Sequence, residues 1–307
     1  MDSFNVVDKE IQMSLKSNFS LNKSALLAVG LSIPACVFAN VPNPAFNGYY
    51  GGLSAGVMRT ESKISASATS TFENFYDDDN QLALAQNGVE VHKYTGTGAL
   101  YLGFGHFINN SNFYLAGEIF GNWAHRKNTL SNWAYHQEPN DDEDTQSLST
   151  YTSVRLNNGE MGVDIRPGFL IDTNTMVYAR FGLAFNKAKT STNSTFTFTD
   201  LRTVPFSTYN SSLIQSNRNT KTGTRIGLGL EHMITDTLAV TADYIYTYYG
   251  KAKTTGIGNT TSIVSGGEEG PSTVPFTNID GLEAQSSGRI STQSAMLGIK
   301  YYFMPVC

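Results

Sequence analysis

Charged residues are scarce in this sequence. Asp, Glu, Lys and Arg make up 15% of its 307 residues, whereas soluble proteins average about 25%. This scarcity excludes a charged helical bundle, a coiled coil and an acidic disordered chain. The formal net charge of −5 provides no basic face for nucleic acid, so we expect no nucleic-acid partner.

Cysteine is also rare, and the overall hydrophobicity is low. The two cysteines, Cys36 and Cys307, do not have the spacing of a zinc site. A mean hydropathy of −0.23 excludes a multi-pass helical membrane protein. We expect no cofactor, no bound metal and no internal disulfide, so stability must come from a sizeable core or a closed sheet.

An apolar, uncharged run occupies residues 24–39, directly after Lys16 and Lys23. The run is too short to cross ~30 Å of hydrocarbon comfortably as a helix. A basic flank, a short apolar core and small residues at its end are typical of a secretory signal. The sequence therefore predicts export, with cleavage after Ala39.

This cleavage divides the chain into an N-terminal extension with its signal, residues 1–39, and one exported domain, residues 40–307. Met13 is an alternative start that would give a signal of ordinary length. Cys36 is an alternative lipidation site, although Pro34 fits the consensus of such sites poorly.

Glycine and aromatic residues are abundant, with 28 Gly, 18 Phe, 16 Tyr and 2 Trp. Eight segments alternate apolar and polar residues with a period of two, which is typical of strands with two unlike faces. The segments cover residues 49–57, 99–105, 113–123, 160–169, 177–186, 223–231, 238–248 and 294–303. The pattern predicts an all-β, antiparallel protein.

The connections between these segments differ greatly in length. Three are hairpin turns rich in Asn, Asp, Ser and Thr, at residues 108–112, 172–175 and 235–237. Four are long, near residues 60–92, 125–158, 188–219 and 251–288. This asymmetry predicts an eight-stranded transmembrane β-barrel with three short periplasmic turns and four long extracellular loops.

Alternation alone does not decide which face of the sheet lies outside, because an exported lipocalin is apolar inside and polar outside. The polar faces favour the membrane barrel, since they are rich in Gly and carry acids and bases in equal number. We expect these eight charged residues to form a network inside the barrel, with Glu118 paired to Arg166. They are Glu118, Asp164, Arg166, Arg180, Arg225, Glu231, Asp243 and Lys300.

Aromatic residues gather at the two ends of the apolar faces, as they do at the interfaces of a membrane barrel. The group at the short-turn end is Phe113, Phe169, Tyr301 and Phe303. The group toward the long-loop end is Trp123, Phe185, Tyr246 and Tyr248. Both groups predict contact with lipid on the outside of the barrel.

Three motifs strengthen this interpretation: GYYGGLSAG at residues 48–56, GVDIRPG at 162–168 and GIKYYF at 298–303. With these motifs, the sequence resembles the eight-stranded outer-membrane β-barrel family of the OmpA transmembrane domain and the opacity proteins. The resemblance implies an outer-membrane location and contact with lipid and lipopolysaccharide. It also implies a host or surface ligand bound by the loops, and a monomer. Family members usually end on an aromatic residue such as Phe303, whereas residues 304–307 follow it here.

A barrel of eight strands is only wide enough for its own side chains, so a general diffusion porin is excluded. We expect function to lie in the long loops, in adhesion, surface interaction or envelope integrity. The alternatives are a rim enzyme acting on lipid or peptide and a narrow channel. No catalytic set supports an enzyme: His106 and Ser111 are badly placed for a deacylase, and His125 and His136 are more simply surface residues.

Two features of the loops have both a functional and a plainer interpretation. Acidic runs at residues 77–79 and 141–144 could bind divalent cations shared with lipopolysaccharide phosphates, but their spacing favours solvated loops. A short repeat, TVPFS at 203–207 and TVPFT at 273–277, could be a duplicated binding element. Coincidence or packing of its Phe on the barrel rim is the simpler explanation.

Overall fold

The computed structural model describes residues 46–74, 77–108, 111–125, 128–139, 144–200, 207–258 and 278–303. These residues form nine strands: β1 (Gly48–Asn74), β2 (Asp77–Phe107), β3 (Phe113–Ala124), β4 (Asn128–Pro139), β5 (Asp144–Asp172), β6 (Thr175–Asp200), β7 (Ser207–Met233), β8 (Leu238–Gly258) and β9 (Asn278–Tyr302). The described part of the chain contains no helix with the length and apolar character of a membrane span.

Eight of the nine strands close into a ring. The sheet order is β3-β2-β1-β9-β8-β7-β6-β5-β4, and β3 also pairs with β5, so that every ladder is antiparallel and the ring has no open edge. The ninth strand, β4, pairs with the outer part of β5, from Thr145 to Leu156. The expected eight-stranded antiparallel barrel is therefore confirmed.

The apolar faces of the ring point outward. Leu53, Ile119 and Leu297 are among the many large apolar side chains exposed on the outside, while the polar faces are buried inside. On β3, ten residues separate Phe113 from Trp123. They cover about 33 Å of strand and about 25 Å of height at a tilt near 40°, the height of the lipid-facing band of outer-membrane barrels.

The long connections differ from simple loops, because most of their residues continue the strands. β1 and β2 stay paired from Gly48↔Gly105 to Asn74↔Asp77, and β6 and β7 stay paired as far as Asp200↔Ser207. These outer segments are rich in Ser and Thr on both faces, so they lack the apolar alternation that marks the barrel strands. Thr is a good strand former, and pairing of the backbone completes the hairpins.

Beyond the ring, the described strands separate into two facing sheets. The β2–β3 ladder ends at Thr97↔Ala124 and the β7–β8 ladder ends at Thr224↔Tyr248. Above these points β8, β9, β1 and β2 form one sheet, and β4, β5, β6 and β7 form the other. We call this outer part, beyond Gly96 of β2 and Tyr248 of β8, the extension.

The extension has an interior of its own. Its two sheets bury a small apolar cluster made of Ala68, Leu82, Leu148, Phe196, Leu213, Leu282 and Ala284. Buried hydroxyls lie around the cluster, and one hydrogen bond joins Thr192 of the second sheet to Ser286 of the first. The extension is thus a packed structure that continues the barrel outward.

Candidate functional site

The eight charged residues expected inside the barrel all lie buried in the ring, where the strands place them on the inward face. They are Glu118 on β3, Asp164 and Arg166 on β5, Arg180 on β6, Arg225 and Glu231 on β7, Asp243 on β8 and Lys300 on β9. Six strands therefore contribute charge to one interior layer.

Arg166 lies at the centre of this layer. Its Nη1 is 3.2 Å from Glu118 Oε2, and its Nη2 is 2.9 Å from Glu231 Oε2. The Arg166–Glu118 contact is diagonal, because the register partner of Glu118 is Asp164. Lys300 Nζ donates to the same oxygen of Glu231 at 2.6 Å, so one carboxylate holds two cations.

Arg180 joins three carboxylates from three other strands. Its Nη1 contacts Glu118 and lies 3.1 Å from Asp164 Oδ2, while its Nε is 2.9 Å from Asp243 Oδ1. Arg225 Nε is 3.2 Å from the same Asp164 oxygen. All eight charged side chains therefore belong to one connected network that crosses the lumen.

A fifth acid, Glu160, also belongs to the network, although it was not among the predicted interior charges. Arg225 Nη1 lies 3.2 Å from Glu160 Oε1, and Glu160 is buried at the outer end of the network. Its position on the polar face of the fourth predicted strand was the signal that could have revealed it. With Glu160 included, the described part of the interior holds five acids and four bases rather than equal numbers.

Tyrosine hydroxyls add hydrogen bonds to most of these carboxylates. Four of the five carboxylates accept a bond from a buried tyrosine: Glu118 from Tyr50 at 3.2 Å, Asp243 from Tyr178 at 2.8 Å, Glu231 from Tyr302 at 2.6 Å, and Glu160 from Tyr249. Tyr249 was not expected inside. It nevertheless continues the inward positions Thr241, Asp243 and Thr247 at a period of two. The bulge between Tyr248 and Gly250, where Gly250 has φ of 73°, shifts the alternation of β8 only beyond Tyr249.

Inward glycines make room for these tyrosine rings. Tyr50 is the register partner of Gly103, and Tyr178 is the partner of Gly229. A Cβ at either glycine would lie 2.4 Å from the tyrosine ring, so only glycine permits the ring to lie across the neighbouring strand. The guanidinium of Arg166 stacks 3.8 Å from the centroid of the Tyr178 ring.

The interior is filled on both sides of the network. Toward the short turns, Phe46, Phe107, Tyr302 and other buried aromatic and apolar residues close the ring, with edge-to-face contacts of 6.3 Å and 5.9 Å around Phe46. Toward the extension, a polar cavity of about 10 Å³ lies beside Glu160 and Asn186, enough for about one water molecule. Because its interior is filled, the ring has the packing of a structural scaffold.

The predicted interface aromatics lie on the outside of the ring. Most are exposed, and two pairs touch edge to face near the short turns: Phe113 with Phe169 at 5.2 Å, and Tyr301 with Phe303 at 5.5 Å. Tyr49 and Phe104 add a pair that the sequence analysis missed, at 4.9 Å. Trp123, Phe185, Tyr246 and Tyr248 lie at the outer end of the ring, before the two ladders separate.

A second aromatic group lies on the outer face of the extension. Trp133 and Tyr135 of β4 stack with centroids 5.5 Å apart and planes at 20°, and Tyr151 of β5 is the register partner of Trp133. Their exposed fractions are 60%, 48% and 46%. We call these three residues the aromatic patch. The sequence pattern does not predict the aromatic patch, because it predicts a long loop over residues 125–158.

The structure describes only some of the other residues considered as functional. The hydroxyl of Ser111 donates to the carbonyl of Ile108 at 2.6 Å within the short turn, and His106 lies on the neighbouring strand, β2. Several candidates lie outside the described residues or have undescribed side chains. They are the signal segment 1–39, the acidic runs 77–79 and 141–144, most of the repeat at 203–207 and 273–277, and residues 304–307.

Closed antiparallel topology, a charged interior and an apolar outer band define the protein as an outer-membrane β-barrel. Residues 24–266 match the family described as the outer membrane protein beta-barrel domain, and the chain belongs to this family. No curated protein matches the sequence.

Several solved barrels resemble the chain at low identity. Ail, the attachment invasion locus protein of Yersinia pestis, is 14% identical, with 78% of this chain and 98% of that chain covered and a TM-score of 0.26. Neisserial surface protein A is 11% identical, with 81% and 99% covered and a TM-score of 0.29. The outer membrane protease OmpT of Escherichia coli is 11% identical, with 84% and 97% covered and a TM-score of 0.18. The assignment of the chain to its family rests on the family match and not on these similarities.

Proposed function

We propose that this outer-membrane barrel is a non-enzymatic surface protein that adheres to other molecules or cells through its extension. The observation that carries the proposal is the aromatic patch. Tyr151 lies eight residues beyond Gly159, the register partner of Trp123. That is about 26 Å along the strand at ~3.3 Å per residue, so these rings lie too far from lipid to act as membrane anchors.

Exposed Trp and Tyr side chains supply much of the energy of protein interfaces. They offer large, rigid contact area at a low entropic cost, and clusters of them on a water-facing surface usually mark a binding site. An extension with its own packed interior is not needed to close a barrel, whose hydrogen bonds are complete in the ring. Both features support a binding role for the extension.

The patch is tested by a triple variant, Trp133→Thr/Tyr135→Thr/Tyr151→Thr, in which Thr preserves strand propensity. Bacteria displaying this variant should lose adhesion to host cells or matrix by about tenfold or more, since one interface aromatic often contributes over 1 kcal/mol. Tyr94→Thr is the matched control, because Tyr94 is an equally exposed aromatic on β2 of the other sheet. Full adhesion by the triple variant would contradict the proposal.

Removal of the whole extension tests more coarsely whether the ring folds alone and the extension carries the adhesion. A chain with all four hairpins shortened to the level of Gly96 and Tyr248 should fold into a barrel whose gel mobility still changes on boiling. It should no longer adhere. Mass spectra of lipid A, cleavage assays with peptides and single-channel recordings on the full barrel test the absence of catalysis and conduction. A steady activity in any of them would overturn that part of the proposal.

A further inference from the structure

A row of polar side chains crosses three neighbouring strands at the outer end of the ring network. Asn122 of β3 and Asn186 of β6 are both register partners of Glu160 on β5, and all three side chains point inward. Beside this row three residues of β5 lie opposite a single residue of β6, and Asn158 is the middle one of the three. All four polar residues line the cavity of about 10 Å³ described above.

The three asparagine side chains each leave an amide oxygen without a hydrogen-bond donor. The Oδ1 atoms of Asn122, Asn158 and Asn186 are buried and have no partner within the described residues. The amide nitrogens fix two of the orientations, because Asn122 Nδ2 donates to Glu160 Oε1 at 3.0 Å. Asn186, which is 6% exposed, likewise donates from Nδ2 to the carbonyl of Asn157 at 3.4 Å. Proteins rarely leave buried oxygens unpaired unless a water or an ion lies against them.

The same end of the network has too little positive charge. The described interior holds five acids and four bases. Glu160, the acid at this end, has Arg225 Nη1 at 3.2 Å, but Arg225 is shared with Asp164, whose Oδ2 lies 3.2 Å from Nε. The other oxygen of Glu160 accepts the hydroxyl of Tyr249, which brings no charge. The described interior is therefore one positive charge short, and the acid that is least compensated lies beside the three amide oxygens.

A water molecule in the cavity would not satisfy both features. Water donates two hydrogen bonds, so one of the three amide oxygens would remain unpaired, and water carries no charge. A cation attracts all three oxygens and the carboxylate together, and amide and carboxylate oxygens are the ligands that hard cations prefer. The space admits a single ion. The missing charge favours a monovalent ion, because a divalent ion would reverse the imbalance next to Arg225.

We propose that the ring binds one Na⁺ ion in this cavity, between β3, β5 and β6. Asn122, Asn158 and Asn186 are its neutral ligands, and Glu160 supplies the opposite charge. Asn122 and Asn158 are only partly buried, so the ion can enter from the side of the extension. The ion would hold the three strands together where the ring meets the extension, and it is separate from the adhesive role of the aromatic patch. The sequence alone predicts no bound metal, because these four residues meet only in the folded ring.

The test follows the linewidth of the sodium NMR signal as NaCl is added to the folded full chain in a nonionic detergent. Tetramethylammonium chloride, whose cation is too large for the cavity, keeps the ionic strength constant, so that screening does not change. Bound Na⁺ relaxes faster than free Na⁺, and a specific site therefore broadens the signal in proportion to its occupancy until it is saturated. CaCl₂ is then added as a divalent competitor.

Two variants each remove one part of the site. Asn158→Ala removes an amide oxygen at a partly exposed position, and Glu160→Gln removes the charge while preserving the shape of the side chain. Asn132→Ala is the matched control, because Asn132 is a partly buried asparagine of β4 whose amide donates to Gln86 Oε1 at 2.6 Å. A mobility change on boiling shows that each variant is folded, and Asn158→Ala remains a test if Glu160→Gln does not fold.

We expect saturable broadening with the natural protein and with Asn132→Ala. Asn158→Ala and Glu160→Gln should bind Na⁺ about tenfold or more weakly, since loss of even an outer-shell partner costs metal sites about 10–100-fold in affinity. NaCl should also raise the urea midpoint of the natural protein above that in tetramethylammonium chloride, because Na⁺ binds only the folded state. This rise should disappear in the two site variants.

Broadening that is absent, or equal in all four proteins, would overturn the proposal and indicate that water fills the cavity. Displacement of Na⁺ by micromolar calcium would also overturn it, by indicating a divalent site. Adhesion of bacteria displaying Asn158→Ala should be unchanged, so failure of the cation site is distinguishable from failure of the proposed adhesive function.

Discussion

The ring and the extension are built from the same strands, yet their inner and outer surfaces are made differently. In the ring, charged and tyrosine side chains fill the interior and apolar side chains face outward. In the extension, a small apolar cluster of Leu, Ala and Phe together with buried Ser and Thr fills the interior, and the outer face is largely Ser, Thr, Asn and basic residues. The alternation of side chains continues along each strand, but the surroundings change from lipid to water. The solvent therefore decides which face of a strand carries the apolar residues.

The two interiors also differ in what holds them together. The ring depends on connected ion pairs that are expensive to disturb individually, because a buried charge without its partner retains its full desolvation cost. The extension depends on modest apolar packing between two sheets that share no ladder above Thr97 and Thr224 within the described residues. We expect the ring to unfold cooperatively as one unit, and the extension to unfold locally at a lower free energy.

The largest effect should come from the centre of the ring network. Arg166→Ala should lower the free energy of unfolding by about 3–5 kcal/mol, since it leaves the interior acids with one cation fewer. The double variant Glu118→Gln/Arg166→Met removes one charge of each sign, so it should lower the free energy of unfolding by less than Arg166→Ala does. Urea titration of the folded barrel measures both.

Arg218→Ala is the matched control for this comparison, since Arg218 is an exposed arginine of the extension. Its effect on the free energy of unfolding should stay within about 0.5 kcal/mol. If Arg166→Ala proves no more costly than Arg218→Ala, the interior network does not stabilise the ring as argued here.

A smaller and more local effect should follow from Leu148→Ala. Leu148 is 0% exposed at the centre of the apolar cluster in the extension. Its truncation should cost about 2–3 kcal/mol of local stability, at the low end for a buried leucine because Ala and hydroxyl neighbours can close the gap. Limited proteolysis should cut the extension faster, while the mobility change on boiling persists.

The neighbouring Ile214 provides the control for that experiment, because its side chain is 74% exposed on the outer face of β7. Ile214→Ala should leave the rate of proteolysis almost unchanged. Loss of the heat-dependent mobility in Leu148→Ala would show that the ring and the extension unfold as one unit, contrary to the comparison drawn above.

The same contrast explains which parts of the molecule could be predicted from the sequence. The ring strands were recognisable because apolar residues alternate with Gly and charge, as in residues 160–169. The extension was missed because residues such as Ser149, Thr150 and Thr152 are polar on both faces, and a strand of that kind carries no apolar periodicity. Tyr249 was missed for another reason, because it lies one residue past the predicted end of its strand at residue 248, although it continues the inward alternation of Thr241 and Asp243.

A third effect should come from the glycines that accommodate the tyrosine rings. Gly229→Ala places a Cβ 2.4 Å from the Tyr178 ring, which would displace the ring from Arg166 and cost about 1–2 kcal/mol as overpacking. Gly117→Ala on β3 is the control, because its Cβ would meet nothing within 4 Å. Equal urea midpoints for the two variants would indicate that the inward glycines do not position the network.

The smallest effect should lie at the short turns, outside both interiors. Asp172 Oδ1 accepts the backbone N–H of Asn174 at 2.7 Å in the turn between β5 and β6. Partial burial alone would raise the pKa of Asp172, but hydrogen bonds from the Asn174 and Thr175 backbone and the Thr175 side chain outweigh it and lower the pKa below its ordinary value. The stabilisation from Asp172 is therefore present at neutral pH and is lost as the pH falls through this lowered pKa.

Asp172→Ala should cost about 0.5–1 kcal/mol at neutral pH, the usual net value of one hydrogen bond. Asp172→Asn should cost less, because the amide oxygen can accept the same bond while losing the dependence on pH. Urea midpoints measured between neutral pH and strongly acidic pH should converge for the natural protein and Asp172→Ala as the carboxylate becomes protonated. Curves that remain parallel down to strong acid would mean that the ionised side chain contributes nothing to the turn, and that the turn is held by its backbone alone.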